Sequence, residues 1–594
     1  MAIHTVDSML LAVLSNRLDA IVREMGNVLV RGARSSVVTS HDFSCSINSA
    51  AAELLASADG LPGHICGSHL KAQSMKEIHA DLLEGDAFLH NDPYLGNTHA
   101  ADHSILVPVF VDGEHLFTVS VMAHQADCGN SLPTTYMPFA TDVYNEGALI
   151  FPCVRVQRDY QDVPDIIRMC KKRIRVPDVW YGDYQAMVGG ARIGERRLKQ
   201  LVARYGIDTI RSFISSWLDY SERMMVDAIR KLPAGRIEAH GVHDPLPGFD
   251  DGIPIKVQVT VDPQAGRVEI DLRDNIDCLA MGLNQSEACS FGNALIGLFN
   301  VIGGEVPHNA GSFRRVTVHL RDNCIVGRPQ HPFSCSMATT NIGDRLANQV
   351  QSAFADIGEG IGLAEAGIGM GASASVVSGA DFRRNGAPYQ NQILFLNNGG
   401  PGGPWADGWT NFGVPVVAGQ LMRDSVEVNE LKYPIVFFEN RLLEDSAGAG
   451  RRRGAPAGRV TYGPRRDPMQ VMYPTDGAVN PPRGVRGGSS GMRPHAYHRS
   501  QGGEDVLLPN NASVTVLPGE KIIGIGCGGA GYGDPRTREV ERVLADVREG
   551  VVSREAAMSV YGVVVSGASE DGTLRVDEAA TARLRVPSGA RPLA

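Results

Sequence analysis

The sequence predicts an α+β chain of several domains, and three observations lead to this fold class. The chain has 594 residues, so at roughly 150 residues per domain three or four units are expected. Helix-type hydrophobic spacing dominates the first part of the chain, whereas strand-type alternation begins near residue 253. Within the first part, Asp112-Gly113 is a strong hairpin signal between two runs rich in Ile, Val and Phe. We therefore expect an N-terminal domain of helices and a metal-binding hairpin, followed by mixed, β-rich domains.

Helical periodicity defines the N-terminal part, where apolar residues recur at three- and four-residue spacing. The predicted helices cover residues 7–33, 49–58, 68–83 and 192–232. The last of these stretches is interrupted at Gly206 and ends at Pro233-Ala-Gly235. A first domain over residues 1–235 follows from this pattern.

Strand-type alternation marks the middle of the chain. Residues 253–261 and 267–272 alternate apolar and polar side chains around a turn-rich link, which is typical of a β-meander. Residues 284–302 and 340–363 are predicted as helices that pack on sheet. The remaining predicted domains cover residues 236–520, which are mixed α and β, and 521–594, which combine a glycine-rich loop with a helix.

Three glycine-rich segments lie in the second half of the chain. Residues 446–458 and 481–494 are basic, and we interpret them as solvated connections; the alternative is a flexible lid or an anion site built on arginines and backbone amides. Residues 526–531 match G-x-G-x-x-G by letters. Pro535 follows too soon for a helix to begin at the last glycine, so dinucleotide binding is not expected there.

Composition excludes several classes of function. A net charge of -10 and a pI near 5.9 disfavour nucleic acid as a partner. The sequence has neither a signal-type N-terminus nor a run of 18 apolar residues, which predicts a cytoplasmic protein without a membrane partner. The ten cysteines include no C-x-x-C pair and indicate reduced, buried thiols. Only Cys128, near the histidine-rich segment, is kept as a candidate nucleophile.

Histidines and aspartates are concentrated in two segments. These are His90-Asn-Asp-Pro-Tyr-Leu-Gly-Asn-Thr-His99-Ala-Ala-Asp102-His103 and Ala123-His124-Gln-Ala-Asp127-Cys-Gly129. If Asp112-Gly113 is a two-residue turn, the strands pair so that Asp102 lies opposite Ala123 and Ala101 opposite His124. His124 then returns beside Asp102, and His99 joins them if residues 99–102 form one turn.

These three side chains are typical of a metal site. Two imidazoles and one carboxylate leave coordination positions open, which is the arrangement of a catalytic rather than a structural site, and they suit zinc, manganese or iron. His90, Asp92, His103 and Asp127 are expected nearby as partners of the ligands, and any of them could itself be a ligand. The competing interpretation is that these residues only cap turns and satisfy buried backbone groups.

The two motifs, His90-Asn-Asp-Pro-Tyr-Leu-Gly-Asn-Thr-His99-x-x-Asp102 and His124-x-x-Asp127-x-Gly129, resemble those of the hydantoinase B or oxoprolinase family, which is related to acetone and acetophenone carboxylase subunits. Further matches follow in the family's order along nearly the whole chain. They are Tyr144-Asn-Glu-Gly147, Arg175-Val-Pro177, Gly182-Asp183, Tyr433-Pro434, Asp445-Ser-Ala-Gly-Ala-Gly450, Gly531-Tyr-Gly-Asp-Pro535, Ala545-Asp-Val547 and Tyr561-Gly-Val563.

The resemblance implies a subunit of a hetero-oligomeric, ATP-dependent complex. ATP would bind to a partner subunit of the hydantoinase A type, in agreement with the lack of a G-x-x-x-x-G-K-[ST] motif here. In acetone carboxylase the related subunit holds manganese through a His-x-x-Asp pair and a later His at the same separation as Asp102 from His124. The resemblance therefore carries the ligand roles to His99, Asp102 and His124.

Three functional hypotheses remain open at this stage. In the first, metal-bound water hydrolyses an ATP-activated cyclic amide or imide, such as a hydantoin, 5-oxoproline or a lactam, with Asp127 or His103 as acid/base. In the second, the subunit carboxylates a phosphorylated ketone through an enolate; Gly96-Asn97 is closer to acetone carboxylase than to hydantoinases. In the third, the chain is a non-catalytic scaffold. Bicarbonate dependence separates the first two, and replacement of His124 tests the third.

Overall fold

The computed structural model describes residues 6–58, 60–395, 398–568 and 572–585. Residues 1–5 and 586–594, which belong to the first and last predicted domains, lie outside this range. The described chain combines helices with several separate sheets, as the predicted α+β class requires.

The first sheet is seven-stranded, with the order β2-β1-β5-β4-β3-β6-β7, and every neighbouring pair is antiparallel. It contains the predicted hairpin as β4 and β5. Both residues of the turn, Asp112 and Gly113, have positive φ, as a tight hairpin turn requires. The strands are β1 Phe43–Ser49, β2 Leu54–Ala58, β3 Ala87–His90, β4 Asp102–Val111, β5 Glu114–His124, β6 Val154–Arg158 and β7 Gln161–Asp162.

Helices surround this sheet, and the two long helices α1 and α7 pack against each other and on its strands. The apolar stripe of α1, including Leu14, Leu18 and Val22, is buried in the same core as the hairpin residues. The helices are α1 Ser8–Gly32, α2 Ser36–Thr39, α3 Pro62–Ile65, α4 Ser68–Ile78, α5 Val143–Glu146, α6 Pro164–Arg173, α7 Pro177–Tyr205 and α8 Ile207–Ile229.

Three of the four helical predictions for this part are confirmed, including the interruption at Gly206, which takes a φ of 82° between α7 and α8. The helix over residues 49–58 is wrong, because Leu54–Ala58 forms β2 and pairs with β1. A short apolar run does not distinguish a helix from a strand by periodicity, and here pairing with the neighbouring strand decides.

The second sheet has the order β11-β10-β9-β8. Strands β8 to β10 form the predicted antiparallel meander, and β11 adds parallel to β10. Helix α11 packs on it, α9 packs on α11, and both helices bury apolar residues in a shared core. The elements are β8 Gly235–His243, β9 Ile253–Asp262, β10 Arg267–Asp271, α9 Glu287–Ile302, α10 Ala310–Phe313, β11 Val316–His319 and α11 Ile342–Ile357.

Two further sheets have the orders β13-β12-β16-β19 and β14-β15-β20-β17-β18, and a small β21-β22 pair follows. Because β20 lies between β15 and β17, the last predicted segment shares a sheet with the middle one. The elements are β12 Val376–Asp381, β13 Ala387–Gln392, α12 Val426–Lys432, β14 Ile435–Leu442, β15 Gly458–Pro464, β16 Met469–Pro474, β17 His495–Arg499, β18 Asp505–Leu507, β19 Asn511–Val516, β20 Lys521–Ile525, α13 Val540–Arg548, α14 Arg554–Ser559, β21 Val565–Ser566, β22 Arg575–Val576 and α15 Glu578–Arg585.

Glycine-rich segments form a bundle of extended chains, which we call the glycine bundle (residues 363–367, 398–403, 446–455, 483–492 and 526–533). Residues 526–533 are central. From Gly528 to Tyr532, successive backbone N–H groups donate in turn to three neighbouring segments. Gly528 and Gly531 donate to the segment at 483–492, Gly529 and Tyr532 to the one at 446–455, and Ala530 to Glu365. This three-residue repeat is that of a polyproline II-type helix.

The glycine bundle corrects the interpretation of residues 446–458 as solvated connections, whereas residues 481–494 are largely exposed or half-buried, in agreement with that interpretation. Most of residues 446–458 are buried, and Arg453 pairs with Asp546 instead of forming an open anion site. The prediction that no helix begins at the last glycine of residues 526–531 is confirmed, because these residues form the centre of the bundle and the next α-helix begins only at Val540. All ten cysteines lie in the described part of the chain, are buried and form no disulfide bond, as predicted. No helix within the described ranges is both long and apolar enough to cross a membrane.

Candidate metal centre

The hairpin places the predicted ligands directly side by side. Asp102 pairs with His124, one position away from the predicted register, in which Asp102 faced Ala123. The difference arises at Leu116 on β5, which has no partner on β4 because Phe117 pairs with Val109 and His115 with Phe110. This β-bulge moves the rest of the strand by one residue. The prediction that His124 returns beside Asp102 holds, and the two side chains meet more closely than an uninterrupted hairpin would allow.

Three donor atoms converge on one point. His99 Nε2 lies 3.2 Å from Asp102 Oδ1, His124 Nδ1 lies 3.0 Å from the same oxygen, and the two imidazole nitrogens are 3.2 Å apart. All three side chains are buried. Atoms that share one ion at about 2.1 Å must lie about 3 Å from each other. The donor set and its spacing therefore fit a divalent metal ion.

Each candidate ligand is held by a further contact. His99 Nδ1 lies 2.8 Å from the Ser336 carbonyl oxygen, His124 Nε2 lies 3.1 Å from Thr135 Oγ1, and Thr98 Oγ1 donates to Asp102 Oδ2 at 2.5 Å. Asn97 donates to the carbonyl oxygens of His99 and Asp102 and so fixes the turn that carries them. Such outer contacts orient ligands and fix imidazole tautomers.

A second pair of side chains extends the cluster. His64 Nε2, on the short helix α3, lies 3.2 Å from Asp102 Oδ2 and 4.0 Å from Asp42 Oδ1. Asp42, His64 and Asp102 also form a group whose atoms could hold a metal ion. The other ring nitrogen of His64 is buried without a hydrogen-bond partner. Asp102 thus joins two sets of potential ligands, and the buried cluster contains two carboxylates and three imidazoles.

For Asp102 and His99, oppositely charged neighbours outweigh the effect of burial on the pKa. Burial raises the pKa of Asp102, but His99, His64 and His124 outweigh it and hold that pKa well below its usual range. Burial lowers the pKa of His99, and the Asp102 carboxylate reverses this and leaves it raised. The pKa of Asp42 is raised, chiefly by burial. A carboxylate that stays ionised among imidazoles is the charge state in which metal ligands act.

A cavity of about 30 Å³ adjoins the cluster. Asp42, His64, Asp102 and His124 form one side of it, together with Tyr136, whose ring stacks on His124 at a centroid distance of 5.3 Å. Aliphatic side chains make up much of the remaining lining. Two of the candidate ligands, Asp102 and His124, thus face an enclosed space, which is the arrangement expected of a site that admits a substrate.

The two predicted acid/base residues lie outside this cavity lining. Asp127 accepts hydrogen bonds from the Arg175 guanidinium at 3.1 Å and from the Gly129 backbone N–H at 3.0 Å. His103 follows Asp102 on β4 and therefore points to the other face of the sheet, where Trp180 Nε1 donates to its Nδ1. Burial lowers the pKa of His103 to about 3. Their acid/base roles stay predictions.

His90 and Asp92 support the loop that leads to His99. His90 Nδ1 accepts a hydrogen bond from the Cys153 backbone N–H at 3.1 Å, and burial lowers its pKa to about 4. Asp92 caps the turn that begins at Pro93. Cys128 donates to Asn130, does not line the cavity, and has a pKa raised well above its usual range by burial.

Sequence reasoning missed Asp42, His64 and Tyr136. Asp42 comes directly before β1, which pairs with β5, so its carbonyl oxygen accepts the His124 N–H. No local pattern indicates which strand becomes the neighbour of β5. His64 follows a turn-rich Leu61-Pro-Gly segment, and a histidine at that place was a usable, weak signal. Lys71 was also missed; it is buried beside Ser104, and burial lowers its pKa to about 7.

The fold and the buried cluster define a class of multidomain α+β enzyme subunit, and comparison with known proteins identifies the family. The model of the Hydantoinase B/oxoprolinase family matches residues 7–535, so the chain belongs to that family.

Particular relatives cover the chain from end to end. The beta chain of the caprolactamase of Pseudomonas jessenii is 31% identical over 589 residues, 97% of this chain and 99% of that protein. The B-type component of a putative D-/L-hydantoinase from Pseudomonas sp. (strain NS671) is 26% identical, over 96% and 98% of the two chains. The crystal structure of the ATP-dependent caprolactamase from Pseudomonas jessenii matches with a TM-score of 0.85 and 27% identity, over 98% of this chain and all of that chain.

Proposed function

We propose that this chain is the metal-binding subunit of an ATP-dependent complex that hydrolyses a cyclic amide or imide. A partner subunit of the hydantoinase A type would use ATP to activate the substrate, and this chain would complete the hydrolysis. The observation that carries the proposal is the convergence of His99, Asp102 and His124 on one point beside an enclosed cavity. The relatives named above, from a caprolactamase and a hydantoinase, support cyclic amides as the substrate class.

In this proposal His99, Asp102 and His124 hold zinc, manganese or iron, since imidazole and carboxylate ligands suit all three ions. When bound, the ion polarises a carbonyl oxygen and lowers the pKa of a water molecule at the site. Thr98 and Ser336 keep Asp102 and His99 oriented toward the ion. Asp42 and His64 add a carboxylate and an imidazole on the same side of the cavity.

The rival carboxylase hypothesis depended partly on Gly96-Asn97. In the structure Asn97 fixes the ligand turn through hydrogen bonds to His99, Asp102 and Ser104. This role serves a metal site of either activity, so the residue does not favour a carboxylase. The scaffold hypothesis would leave the convergence of five ionisable side chains without a purpose. A cytoplasmic location remains part of the proposal.

The test is ATP turnover by the chain purified together with its ATPase partner. A panel of hydantoins and lactams is compared with a panel of ketones, each with and without bicarbonate. We expect a cyclic amide to stimulate ATP turnover and to be opened to a linear product in proportion. Turnover that requires a ketone together with bicarbonate, with no response to any cyclic amide, would overturn the proposal in favour of a carboxylase.

A further inference from the structure

The cavity beside the cluster has two chemically different sides. The side that carries Asp42, Asp102, His64 and His124 is ionisable. The lining also contains four aliphatic residues from one segment, which we call the aliphatic wall (Val414, Val416, Val417 and Leu421), and the uncharged polar residues Asn293, Thr339 and Gln392. Among the described residues that line the cavity there is no lysine or arginine.

We propose that the aliphatic wall selects cyclic amides without a charge and rejects those that carry a carboxylate, such as 5-oxoproline. This inference rests on the function proposed above and narrows it. It distinguishes members of one substrate class by the charge of the ring substituent, and it assigns the discrimination to the wall and not to the candidate ligands.

The size of the cavity indicates that the wall contacts the substrate. A volume of about 30 Å³ holds an ion or one or two water molecules, but it is too small for a ring of five or more atoms. One side must therefore yield when a ring enters. On the ligand side Asp102 and His124 lie on paired strands, whereas the wall has only a single turn of 3₁₀ helix, Pro415–Val417, followed by Ala418 and Gly419 with positive φ. We therefore expect the aliphatic wall to move when a ring enters the cavity. Its side chains would then lie against the bound ring.

The charge of the substrate accounts for the proposed selectivity between neutral and carboxylate-bearing cyclic amides. A ring carboxylate in this cavity would lose its water without meeting a cationic side chain, which is costly for an unpaired charge. Lys71 lies behind the ligand side, where its amine donates to Ser104, and it does not line the cavity. A ring of methylene groups has no such penalty and gains contact with the wall.

The experiment uses the complex with its ATPase partner and a pair of substrates that differ in one charge. 5-Oxoproline is compared with its neutral primary amide, and unsubstituted lactams with rings of five, six and seven atoms are added. We expect kcat/KM for the amide and for the five-membered lactam to exceed that for 5-oxoproline by about 100-fold or more. Each added methylene should raise kcat/KM by up to about fourfold through contact with the wall.

A variant assigns the effect to the wall. Leu421 is near the rim, 9% exposed, so that Leu421→Arg would bring a guanidinium to the cavity while its stem replaces the leucine. We expect Leu421→Arg to shift the preference at least tenfold toward 5-oxoproline, and the matched control Leu421→Met to change it less than about threefold. If Leu421→Arg does not fold, as judged by thermal melting, Val417→Arg replaces it.

The outcomes separate this inference from the function on which it rests. Equal kcat/KM for 5-oxoproline and its amide would overturn the selection by charge while leaving cyclic amide hydrolysis in place. A charge preference that neither arginine variant changes would overturn the role of the wall. If no cyclic amide supports ATP turnover, the proposed function fails first and this inference fails with it.

Discussion

The candidate metal centre and the glycine bundle differ in what holds them together, which is side chains in the first and backbone groups in the second. In the candidate metal centre two carboxylates and three imidazoles are brought together from four separate places in the sequence, and each needs a charged or hydrogen-bonding neighbour. In the glycine bundle small residues predominate, and the backbone groups of neighbouring segments satisfy one another.

This difference predicts whether a substitution should change activity or stability. Removing a side chain from the candidate metal centre removes a ligand or a charge that activity requires, and the backbone around it can stay in place. Adding a methyl group to a glycine of the bundle removes no functional group, but it prevents neighbouring backbones from packing together. Activity and stability should therefore respond separately in the two regions, and this separation can be tested.

The largest effect is expected from His124→Ala. Loss of one of three candidate ligands should abolish metal retention after dialysis and reduce activity of the complex by about 1,000-fold or more. Metal analysis by mass spectrometry and ATP-coupled turnover measure the two effects. The matched control is His115→Ala, at the other end of β5 and outside the cavity. Unchanged activity of His124→Ala in a folded complex would support the scaffold hypothesis instead.

Gly529→Ala should give the next largest effect, and it should act on stability. A Cβ at this position would overlap the carbonyl group of Gly400, a backbone atom that cannot turn away. We expect destabilisation by about 3 kcal/mol or more, or no soluble protein. Gly304→Ala is the control, because a Cβ there meets no atom within 4 Å. Similar melting temperatures for the two variants would show that the bundle tolerates expansion.

Asp127→Asn separates the predicted acid/base role of Asp127 from the structural role its contacts indicate. The substitution removes a carboxylate, fully buried, from its pair with Arg175. We expect the free energy of unfolding to fall by about 1–3 kcal/mol, with metal content unchanged and activity within about tenfold. Chemical denaturation and steady-state kinetics measure these quantities. A hundredfold loss of kcat at unchanged stability would instead establish the acid/base role.

The smallest effect concerns the pH dependence of stability and a buried carboxyl group outside both regions. Asp344, near the start of α11, accepts hydrogen bonds from Thr340 and from the Gly369 backbone N–H, and burial raises its pKa to about 7. The folded protein thus favours the protonated form, so the contribution to stability is complete below about pH 3.8 and is lost as the pH rises through 7.

Asp344→Asn should remove this pH dependence, because the amide resembles the protonated carboxyl group. We expect the melting temperature of the variant, relative to the unsubstituted protein, to rise by a few degrees (about 2–4 °C) between pH 5 and pH 8. Melting curves at four pH values measure the difference. A constant difference across this range would mean that Asp344 is ionised in the folded protein throughout.

The local sequence was sufficient to predict the long helices and the ligand hairpin. The apolar spacing of residues 7–33 predicts α1 because one helical face must be buried, and Asp112-Gly113 predicts the turn because both residues tolerate positive φ. The hairpin in turn brings Asp102 and His124 together. These features depend on residues that are close in sequence or linked by one turn.

Other features depend on packing between distant segments, and only the tertiary structure decided them. The bulge at Leu116 shifts the register by one residue, β1 brings Asp42 to the candidate metal centre, and the carbonyl oxygen of Ser336, distant in the sequence, holds His99.

The glycine-rich segments show the same limit of prediction from sequence. A glycine-rich sequence has the same composition whether it is exposed to solvent or packed against other segments. Which backbones fit against it depends on segments that are distant in the sequence, since close packing is a property of the pair and not of either segment alone. The sequence by itself determined which side chains could act as ligands and which segments could approach closely. The tertiary structure decided which of them meet, because burial and hydrogen-bond satisfaction are resolved only when the whole chain is folded.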